Sequence, residues 1–358
     1  MKIVVIGAGI AGLAIGWRLA LAGQKVMVLE RAQPGRGATW ASAGMLAVTA
    51  ELLNAGKEEI EFSRHSNNLW PSFAKEIEEK SGRSIEYDRG GALLLAEDAL
   101  ALDRLARQVD LRSDLELVDA TRLREIAPLV SGDVAGGLWS AREARVNNRA
   151  LGVAMAIALQ RAGGIIKTNE AVVRIERREN RAAIAHTPYG LYHADAFVLA
   201  AGAWSGLLQK EIAPIFPVKG QMILLSPPPG VEPSRCVIWG NGIYAVPRKD
   251  GLCVGATAEE VGFDTALTPE ARDTLLGAAK KLMPSLKDWT LADQWAGLRP
   301  KGPDGLPLLG PTSVEGLWLA SGQYRNGILF APAIAETMCQ QILGGRGIAA
   351  FDPRRFSS

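Results

Sequence analysis

The chain has little cysteine: three residues among 358. Cys236, Cys253 and Cys339 are widely spaced, odd in number and form no Cys-x-x-Cys pair. A disulfide framework or a zinc site is therefore not expected. The same scarcity indicates a reducing compartment, so we expect a cytoplasmic protein without a bound metal.

An excess of one charge is also absent, because 40 Lys and Arg face 38 Asp and Glu. This balance favours neither a nucleic acid nor an acidic membrane as a partner. The apolar start over residues 3–23 is interrupted by Arg18 and by five glycines, so we expect neither a signal peptide nor a membrane span there. Apolar residues make up 48% of the chain, enough to form the cores of one large or two ordinary domains.

The N-terminus shows the pattern of a βαβ unit. Lys2–Ile6 and residues 25–30 are short apolar runs typical of buried strands, and between them residues 10–22 predict a helix that Gly23 ends. This arrangement of elements is the one in which glycine-rich turns bind nucleotides.

The turn between the first strand and the helix reads Gly-Ala-Gly-Ile-Ala-Gly over residues 7–12. Gly7 permits the sharp turn, Gly9 lets the backbone approach a pyrophosphate, and Gly12 allows close packing of helix on strand. Glu30 ends the second strand, where its carboxylate can accept from a ribose hydroxyl and repel a 2′-phosphate. Together these features predict a dinucleotide site, and the small-residue loop 37–45 favours FAD over NAD.

The rest of the chain alternates helical and strand-like segments, without a repeat or a low-complexity linker. We predict a small β-meander over 165–176, 182–187 and 191–194, and a strand-rich region over 205–260. Further strands are predicted over 92–96, 195–201 and 318–320. Helices are predicted over 57–81, which Pro71 would break or restart, and over 148–162, 268–284 and 330–343.

Six further segments carry a family resemblance. In chain order they are Ala43-Gly44-Met45-Leu46, Pro217-Val218-Lys219-Gly220, Tyr244-x-Val246-Pro247-Arg248, Val254-Gly255-Ala256-Thr257, Trp295-Ala296-Gly297-Leu298-Arg299-Pro300 and Arg325-Asn326-Gly327-Ile328. With the N-terminal glycine turn, they resemble the glycine oxidases of thiamine biosynthesis, which belong to the D-amino acid oxidase family of flavoproteins. The resemblance extends from end to end of the chain.

The resemblance implies an α/β fold with two domains. A Rossmann-like FAD-binding domain of the glutathione-reductase type would comprise residues 1–50, 140–210 and 290–358. An inserted α+β substrate domain, built on a mixed or antiparallel sheet, would comprise residues 51–139 and 211–289. FAD would be bound non-covalently.

Three residues match the family's catalytic positions. Arg299 is expected to bind the substrate carboxylate, which suits a planar guanidinium that makes two parallel bonds, and Pro300 restricts its backbone. Tyr244 would line the pocket and hydrogen-bond the same carboxylate. Arg325 would lie near the substrate, beside a helix N-terminus that stabilises reduced flavin.

The resemblance also implies which residues contact the cofactor. Met45 matches a position beside both flavin and substrate, and it could equally be a gap-filling core residue. The expected FAD contacts are Gly7, Gly9, Ile10, Ala11, Gly12, Glu30, Arg31, Thr39, Ser42, Ala43, Gly44, Met45, Val173, Gly202, Trp204, Gly322, Gln323, Arg325, Asn326, Gly327, Ile328 and Leu329.

Two pocket positions depart from the family pattern. Gly242 stands where a His is expected, and Ala258 stands where a Met is expected. Both changes would remove volume, which Trp40 in the flavin loop could partly refill. These residues predict a pocket for something larger than glycine, such as an N-substituted glycine or a D-amino acid.

The implied reaction is oxidation of a small amino acid, with hydride transfer from its α-carbon to flavin N5, hydrolysis of the imine, and reduction of O2 to H2O2. His65, His186 and His193 lie outside every motif, and this reaction needs orientation more than a strong base. Alternatives are a dehydrogenase of the same fold that uses a quinone or carrier, a non-catalytic flavin-binding subunit, and a nicotinamide dehydrogenase. The oligomeric state stays open, a homo-oligomer included.

Overall fold

The computed structural model of the chain describes residues 1–49, 55–109, 115–130 and 133–356. The predicted domain limits at 50/51 and 358 lie outside these residues. Two large sheets organise the described chain, one of six strands and one of eight. The six-stranded sheet contains β1 (Lys2–Ile6), β2 (Lys25–Leu29), β8 (Ile165–Lys167), β12 (Ala196–Leu199), β18 (Leu308–Pro311) and β19 (Leu317–Ser321).

The six-stranded sheet has the order β18-β19-β12-β1-β2-β8, parallel except for the edge strand β18. Its central strands are apolar along their length because both faces are covered, as is usual for parallel sheets. One face packs against α1 (Ile10–Leu21), α6 (Asn148–Arg161) and α9 (Ala331–Ile342). The other packs against a three-stranded antiparallel sheet of β9 (Arg174–Arg178), β10 (Arg181–Thr187) and β11 (Gly190–His193).

The predicted β-meander forms from β9, β10 and β11, but the start of its first predicted run, 165–176, was wrong. Ile165–Lys167 does not join β9, because it pairs in parallel with β2 and forms the edge of the six-stranded sheet. The helix α6 directly before it packs on the sheet beside α1, so the chain crosses over and returns in the parallel direction.

Pro71 does not interrupt the helix that contains it. α3 runs unbroken over Lys57–Ser81, with Pro71 on its exposed side. Phe62, Trp70 and Ile77 are buried on the opposite side, within the same core as α1 and α9. This packing on both sides of the proline stabilises the helix despite one missing N–H donor. α3 thus packs against the nucleotide-binding part, although the sequence had placed residues 51–139 in the substrate domain.

The eight-stranded sheet has the order β17-β13-β16-β15-β14-β4-β6-β5. All neighbouring strands are antiparallel except β14 and β4, so the sheet is mixed, as predicted. Its strands are β4 (Ala92–Ala96), β5 (Glu116–Asp119), β6 (Gly136–Ser140), β13 (Phe216–Ser226), β14 (Val237–Gly240), β15 (Ile243–Arg248), β16 (Gly251–Gly255) and β17 (Thr290–Lys301). Along this sheet lie α4 (Ala99–Val109), α5 (Ala120–Ile126) and α8 (Pro269–Leu282).

The domain division predicted from sequence needs a correction at β17. Residues 290–301 were assigned to the nucleotide-binding domain, but they pair along their whole length with β13 in the eight-stranded sheet. Apart from β17 and α3, the division stays a prediction.

Short elements complete the described chain. No helix within it has the length and apolar character needed to cross a membrane. The short elements are α2 (Ala38–Ala41), β3 (Met45–Leu46), β7 (Ala144–Arg145), α7 (Ser205–Leu208) and 3-10 turns at Gly202–Trp204, Pro284–Asp288, Ala349–Phe351 and Pro353–Phe356.

Candidate active site

A cavity of about 480 Å³ lies where the carboxyl ends of β1, β2 and β12 meet the eight-stranded sheet. Ligands of open α/β sheets bind at this edge. Residues of both sheets line it, so one elongated ligand can contact the glycine turn at one end and β13, β15 and β17 at the other.

The nucleotide end of the cavity is built by the glycine turn. A Cβ placed on Gly12 would lie 2.0 Å from the carbonyl oxygen of Gly7, so α1 could not approach β1 with any side chain there. At Gly9 the nearest atom to such a Cβ is Thr39 Oγ1, at 3.7 Å, so the space beside this residue is open. α1 therefore begins next to open space, with the partial positive charge of its N-terminus available to a pyrophosphate.

Glu30 is fixed at the end of β2. Its Oε2 accepts from the amide of Ala8 at 2.7 Å, and its Oε1 accepts from the amide of Ala32 at 3.0 Å. Each carboxylate oxygen has a second lone pair, so the group can still accept from the hydroxyls of a ribose. Thr39 holds the start of α1, because its Oγ1 accepts from the amide of Ile10 at 2.9 Å.

The substrate end contains a row of residues that crosses the eight-stranded sheet. Met222 pairs with Gly255, and Gly255 pairs with Tyr244. Because Gly255 has no side chain, the Tyr244 ring leans across it and its hydroxyl donates to Met222 Sδ at 3.7 Å. A Cβ on Gly255 would lie 2.7 Å from this ring. The glycine thus sets the position of the tyrosine in the cavity wall.

Arg299 lies on β17 with its guanidinium flat on the backbone of Gly220. A Cβ on Gly220 would lie 2.3 Å from Arg299 Nη2. Nη1 donates to the carbonyl oxygens of Thr257 at 3.0 Å and of Lys219 at 3.4 Å. Among the described residues this leaves the Nε–Nη2 edge to make two parallel bonds to a carboxylate.

The loop before α9 brings Arg325 to the same cavity. The amide of Tyr324 donates to the carbonyl oxygen of Pro300 at 2.8 Å, which ties this loop to the end of β17. Arg325 is exposed, with its guanidinium 5.3 Å from the Tyr324 ring. Gln323 is buried, and its Nε2 has no partner among the described residues, so the wall offers a donor to a bound ligand.

Most of the predicted site residues meet in this one cavity. All three predicted catalytic residues line it, and so does Met45. The predicted cofactor contacts that line it are Gly7, Gly9, Ile10, Ala11, Glu30, Arg31, Thr39, Ser42, Ala43, Gly44, Met45, Gly202, Trp204, Gln323, Arg325, Gly327 and Ile328.

Five predicted cofactor contacts do not line the cavity: Gly12, Val173, Gly322, Asn326 and Leu329. The Val173 side chain is exposed, while its neighbours at 170–172 form the wall. Asn326 donates to Glu59, and the carbonyl oxygen of Leu329 accepts from Ser66 and Trp70. These contacts fix the loop and α9 against α3 rather than reach a ligand.

The three residues on which the larger-pocket prediction rested are also outside the cavity wall. Gly242 is exposed, at φ +74° after Asn241 at φ +50°, in the two-residue turn that joins β14 to β15. Asn-Gly is the sequence that such a hairpin turn favours, so the glycine is explained by the turn. Ala258 is exposed, and Trp40 packs against Trp295 and under the Arg149 guanidinium. None of these three residues therefore shapes the cavity wall, and the preference for a substrate larger than glycine stays a prediction.

Other wall residues were not singled out from the sequence as site residues, namely Met222, Ala256 and Gly297. Ala256 and Gly297 belong to motifs already recognised. Met222 could have been found from period-two alternation, because it lies two residues after Gly220 on the same strand face.

The cavity offers an arginine guanidinium, a tyrosine hydroxyl and apolar walls. None of His65, His186 and His193 lines it: His65 pairs with Glu336, His186 pairs with Glu176, and His193 is exposed. Such a site can hold and orient a small carboxylic acid beside a dinucleotide.

Comparison with known proteins shows which family the chain resembles. The family model described as "FAD dependent oxidoreductase" (DAO) matches residues 2–341. A "Bifunctional protein ThiO/ThiG" of Synechocystis sp. is 35% identical over 99% of the chain, which spans only 54% of that protein. The "Glycine oxidase" of Pseudomonas aeruginosa is 32% identical, with 99% of this chain and 98% of that protein covered.

The crystal structure of glycine oxidase from Geobacillus kaustophilus is similar over 99% of both chains, at a TM-score of 0.93 and 28% identity. The chain spans about half the length of the bifunctional relatives that it matches. The match to the family model covers nearly all of the chain, from the glycine turn to α9. On this match and on the cavity described above, the chain belongs to the DAO family of FAD dependent oxidoreductases.

Proposed function

We propose that the protein oxidises the C–N bond of a small amino acid with FAD, and that O2 accepts the electrons. The observation that carries the proposal is Arg299, which is held on Gly220 and lines the FAD-binding cavity. An arginine held in this way selects a carboxylate. The balanced reaction is amino acid, O2 and water giving α-keto acid, H2O2 and ammonia, with methylamine in place of ammonia when sarcosine is the substrate.

FAD supplies the hydride acceptor for this reaction. The residues that would hold it are the glycine turn, Glu30, the loop 36–45 and the loop before α9. The start of α1 and the open space at Gly9 suit its pyrophosphate, and the donor Gln323 Nε2 suits its polar edge.

The chain's own contribution is to bind and orient the substrate. Arg299 fixes the carboxylate, and Tyr244, held over Gly255, closes the wall beside it. Met45, Met222 and Ala256 supply apolar surface that excludes water. Fixing the carboxylate fixes the position of the α-carbon and the direction of its C–H bond. The rate of hydride transfer therefore depends on this orientation. With no imidazole in the wall, the amine must arrive neutral.

The names of the relatives favour glycine, and the walls suit other small amino acids as well. We therefore propose a small substrate class, glycine, sarcosine or a small D-amino acid. The relatives named ThiO/ThiG favour a role in thiamine biosynthesis over amine catabolism. A dehydrogenase of the same fold is the second candidate, and oxygen reactivity separates the two.

The test is an anaerobic titration of the purified yellow protein with glycine, sarcosine, D-alanine and D-proline. Loss of the flavin band near ~450 nm with one of them identifies the substrate. Return of the band together with H2O2 on admission of air identifies an oxidase, whereas a band that stays bleached identifies a dehydrogenase. Arg299→Lys keeps the charge but loses the paired bonds, so we expect kcat/KM about tenfold or more lower. A flavin that no amine bleaches would contradict the proposal.

A further inference from the structure

A buried lysine lies directly behind the carboxylate-binding arginine. The side chain of Lys219 is only 2% exposed, and its Nζ lies 3.2 Å from Glu259 Oε2 and 3.7 Å from Asp264 Oδ2. Lys219 precedes Gly220 on β13, so its side chain points away from the cavity face on which Arg299 lies. Burying an ammonium group is costly, and the cavity itself makes no use of this one.

Glu259 joins the lysine through both backbone and side chain. Amide and carbonyl groups of the two residues exchange hydrogen bonds of 2.9 Å each. The carboxylate of Glu259 also accepts from Gln221 Nε2 at 3.0 Å and from Thr257 Oγ1. Burial raises the pKa of this carboxyl, but the bonds from Thr257, Gln221 and Lys219 outweigh it and hold the pKa below its ordinary value. Glu259 is therefore ionised at neutral pH.

Thr257 connects this network to Arg299. Its Oγ1 is fixed by the amide of Gln221 at 2.9 Å and by Glu259. Its carbonyl oxygen accepts from Arg299 Nη1 at 3.0 Å. The second acceptor of Nη1 is the carbonyl oxygen of Lys219, which also accepts from the amide of Glu259. Both acceptors that orient the guanidinium thus belong to the segment that the ion pair holds.

We propose that Lys219 and Glu259 form a positioning pair that fixes the Thr257 and Lys219 carbonyl groups, and so directs the Nε–Nη2 edge of Arg299 toward the substrate carboxylate. The inference rests on the proposed function, in which Arg299 binds that carboxylate. Loss of the pair frees the guanidinium without touching the apolar walls or the nucleotide end. Binding of the carboxylate weakens, and substrate that is bound reacts more slowly because its α-carbon is less firmly oriented.

The test compares Glu259→Gln and Lys219→Met with the wild-type holoenzyme. Acetate, which retains the carboxylate of glycine but has no oxidisable C–N bond, is titrated against the flavin absorbance. We expect its Kd and the substrate KM to rise about tenfold, and the limiting rate of flavin reduction to fall as well. Lys219→Arg should recover most of the affinity lost in Lys219→Met. FAD content and melting temperature are measured for every variant.

Glu260→Gln is the matched control. Glu260 is the next residue on the same loop and lies 3.8 Å from Lys301 Nζ, but it is 71% exposed. Its variant should bind acetate as the wild type does. If Glu259→Gln or Lys219→Met does not hold FAD, the double variant removes both charges together and is measured in its place.

An acetate Kd equal to that of the wild type in Glu259→Gln and Lys219→Met, or in the double variant, would overturn the inference. Acetate binding does not require turnover, so this result differs from failure of the proposed function. In that failure the wild-type flavin is bleached by no amino acid, whatever the acetate affinities are.

Discussion

Two glycines determine where the side chains of Tyr244 and Arg299 lie in the cavity wall. Gly255 and Gly220 belong to no turn: both lie within strands, under the Tyr244 ring and under the Arg299 guanidinium. In each case a side chain on the glycine would occupy the space that the tyrosine ring or the guanidinium fills. Each of these glycines was recognised within a motif, but its effect on the functional side chain appears only from the register of the sheet.

The substitution Gly255→Ala should displace the Tyr244 ring and lower activity. The added methyl group would lie 2.7 Å from the Tyr244 ring, so the ring must move and its bond to Met222 is lost. We expect kcat/KM to fall about tenfold, as for other displaced positioning groups, with FAD content unchanged. Steady-state kinetics and the flavin spectrum measure both quantities.

Gly277→Ala is the control for that substitution. Gly277 lies in α8, where an added Cβ meets nothing within 4 Å. Its variant should leave kcat/KM unchanged and should stabilise the protein by about 1 kcal/mol, because alanine favours a helix. If both alanine variants had wild-type kinetics, Gly255 would have no role in placing Tyr244.

Among the elements, the βαβ unit was the part that sequence predicted best. Its strands are apolar after their first residue, its helix is followed by a glycine and its turn needs glycines at fixed spacing, so local rules are sufficient. β17 was assigned to the wrong domain because its register with β13 is a long-range property. The Pro71 helix was misread because tertiary packing of Phe62 and Trp70 overrides a local signal. Gly242 was misread as a pocket position because the Asn-Gly turn signal was overlooked.

A substitution of Glu30 tests how the βαβ unit binds FAD. It accepts from the amides of Ala8 and Ala32 and so connects the glycine turn to the chain after β2. Glu30→Ala should raise the Kd of FAD about tenfold or more, since hydrogen bonds to a charged group are lost both within the turn and to the ribose. Fluorescence titration of apoprotein with FAD measures this.

Glu315→Ala is the comparison for Glu30→Ala, because Glu315 is an exposed carboxylate outside the cavity wall, where it pairs with Arg181. It should bind FAD as the wild type does. Equal FAD affinity in Glu30→Ala and the wild type would show that the turn holds its shape without the carboxylate.

For the whole molecule, the cavity wall is shared by the two sheets, so FAD should stabilise them together. A ligand present at 100 times its Kd stabilises the native state by about 2.7 kcal/mol, which for a chain of this size is a rise of several degrees in melting temperature. ADP would fill only the nucleotide end, beside α1 and Glu30, and would leave the wall formed by β13, β15 and β17 without a ligand. At equal saturation relative to its own Kd, ADP is therefore the control that separates local from shared stabilisation.

We expect FAD to bring the unfolding of both sheets into one calorimetric transition. ADP should raise the unfolding temperature only of the part that contains the six-stranded sheet. Two transitions that persist with FAD would mean that each sheet unfolds independently with its helices. The contacts that the two sheets share at the cavity would then not couple their unfolding.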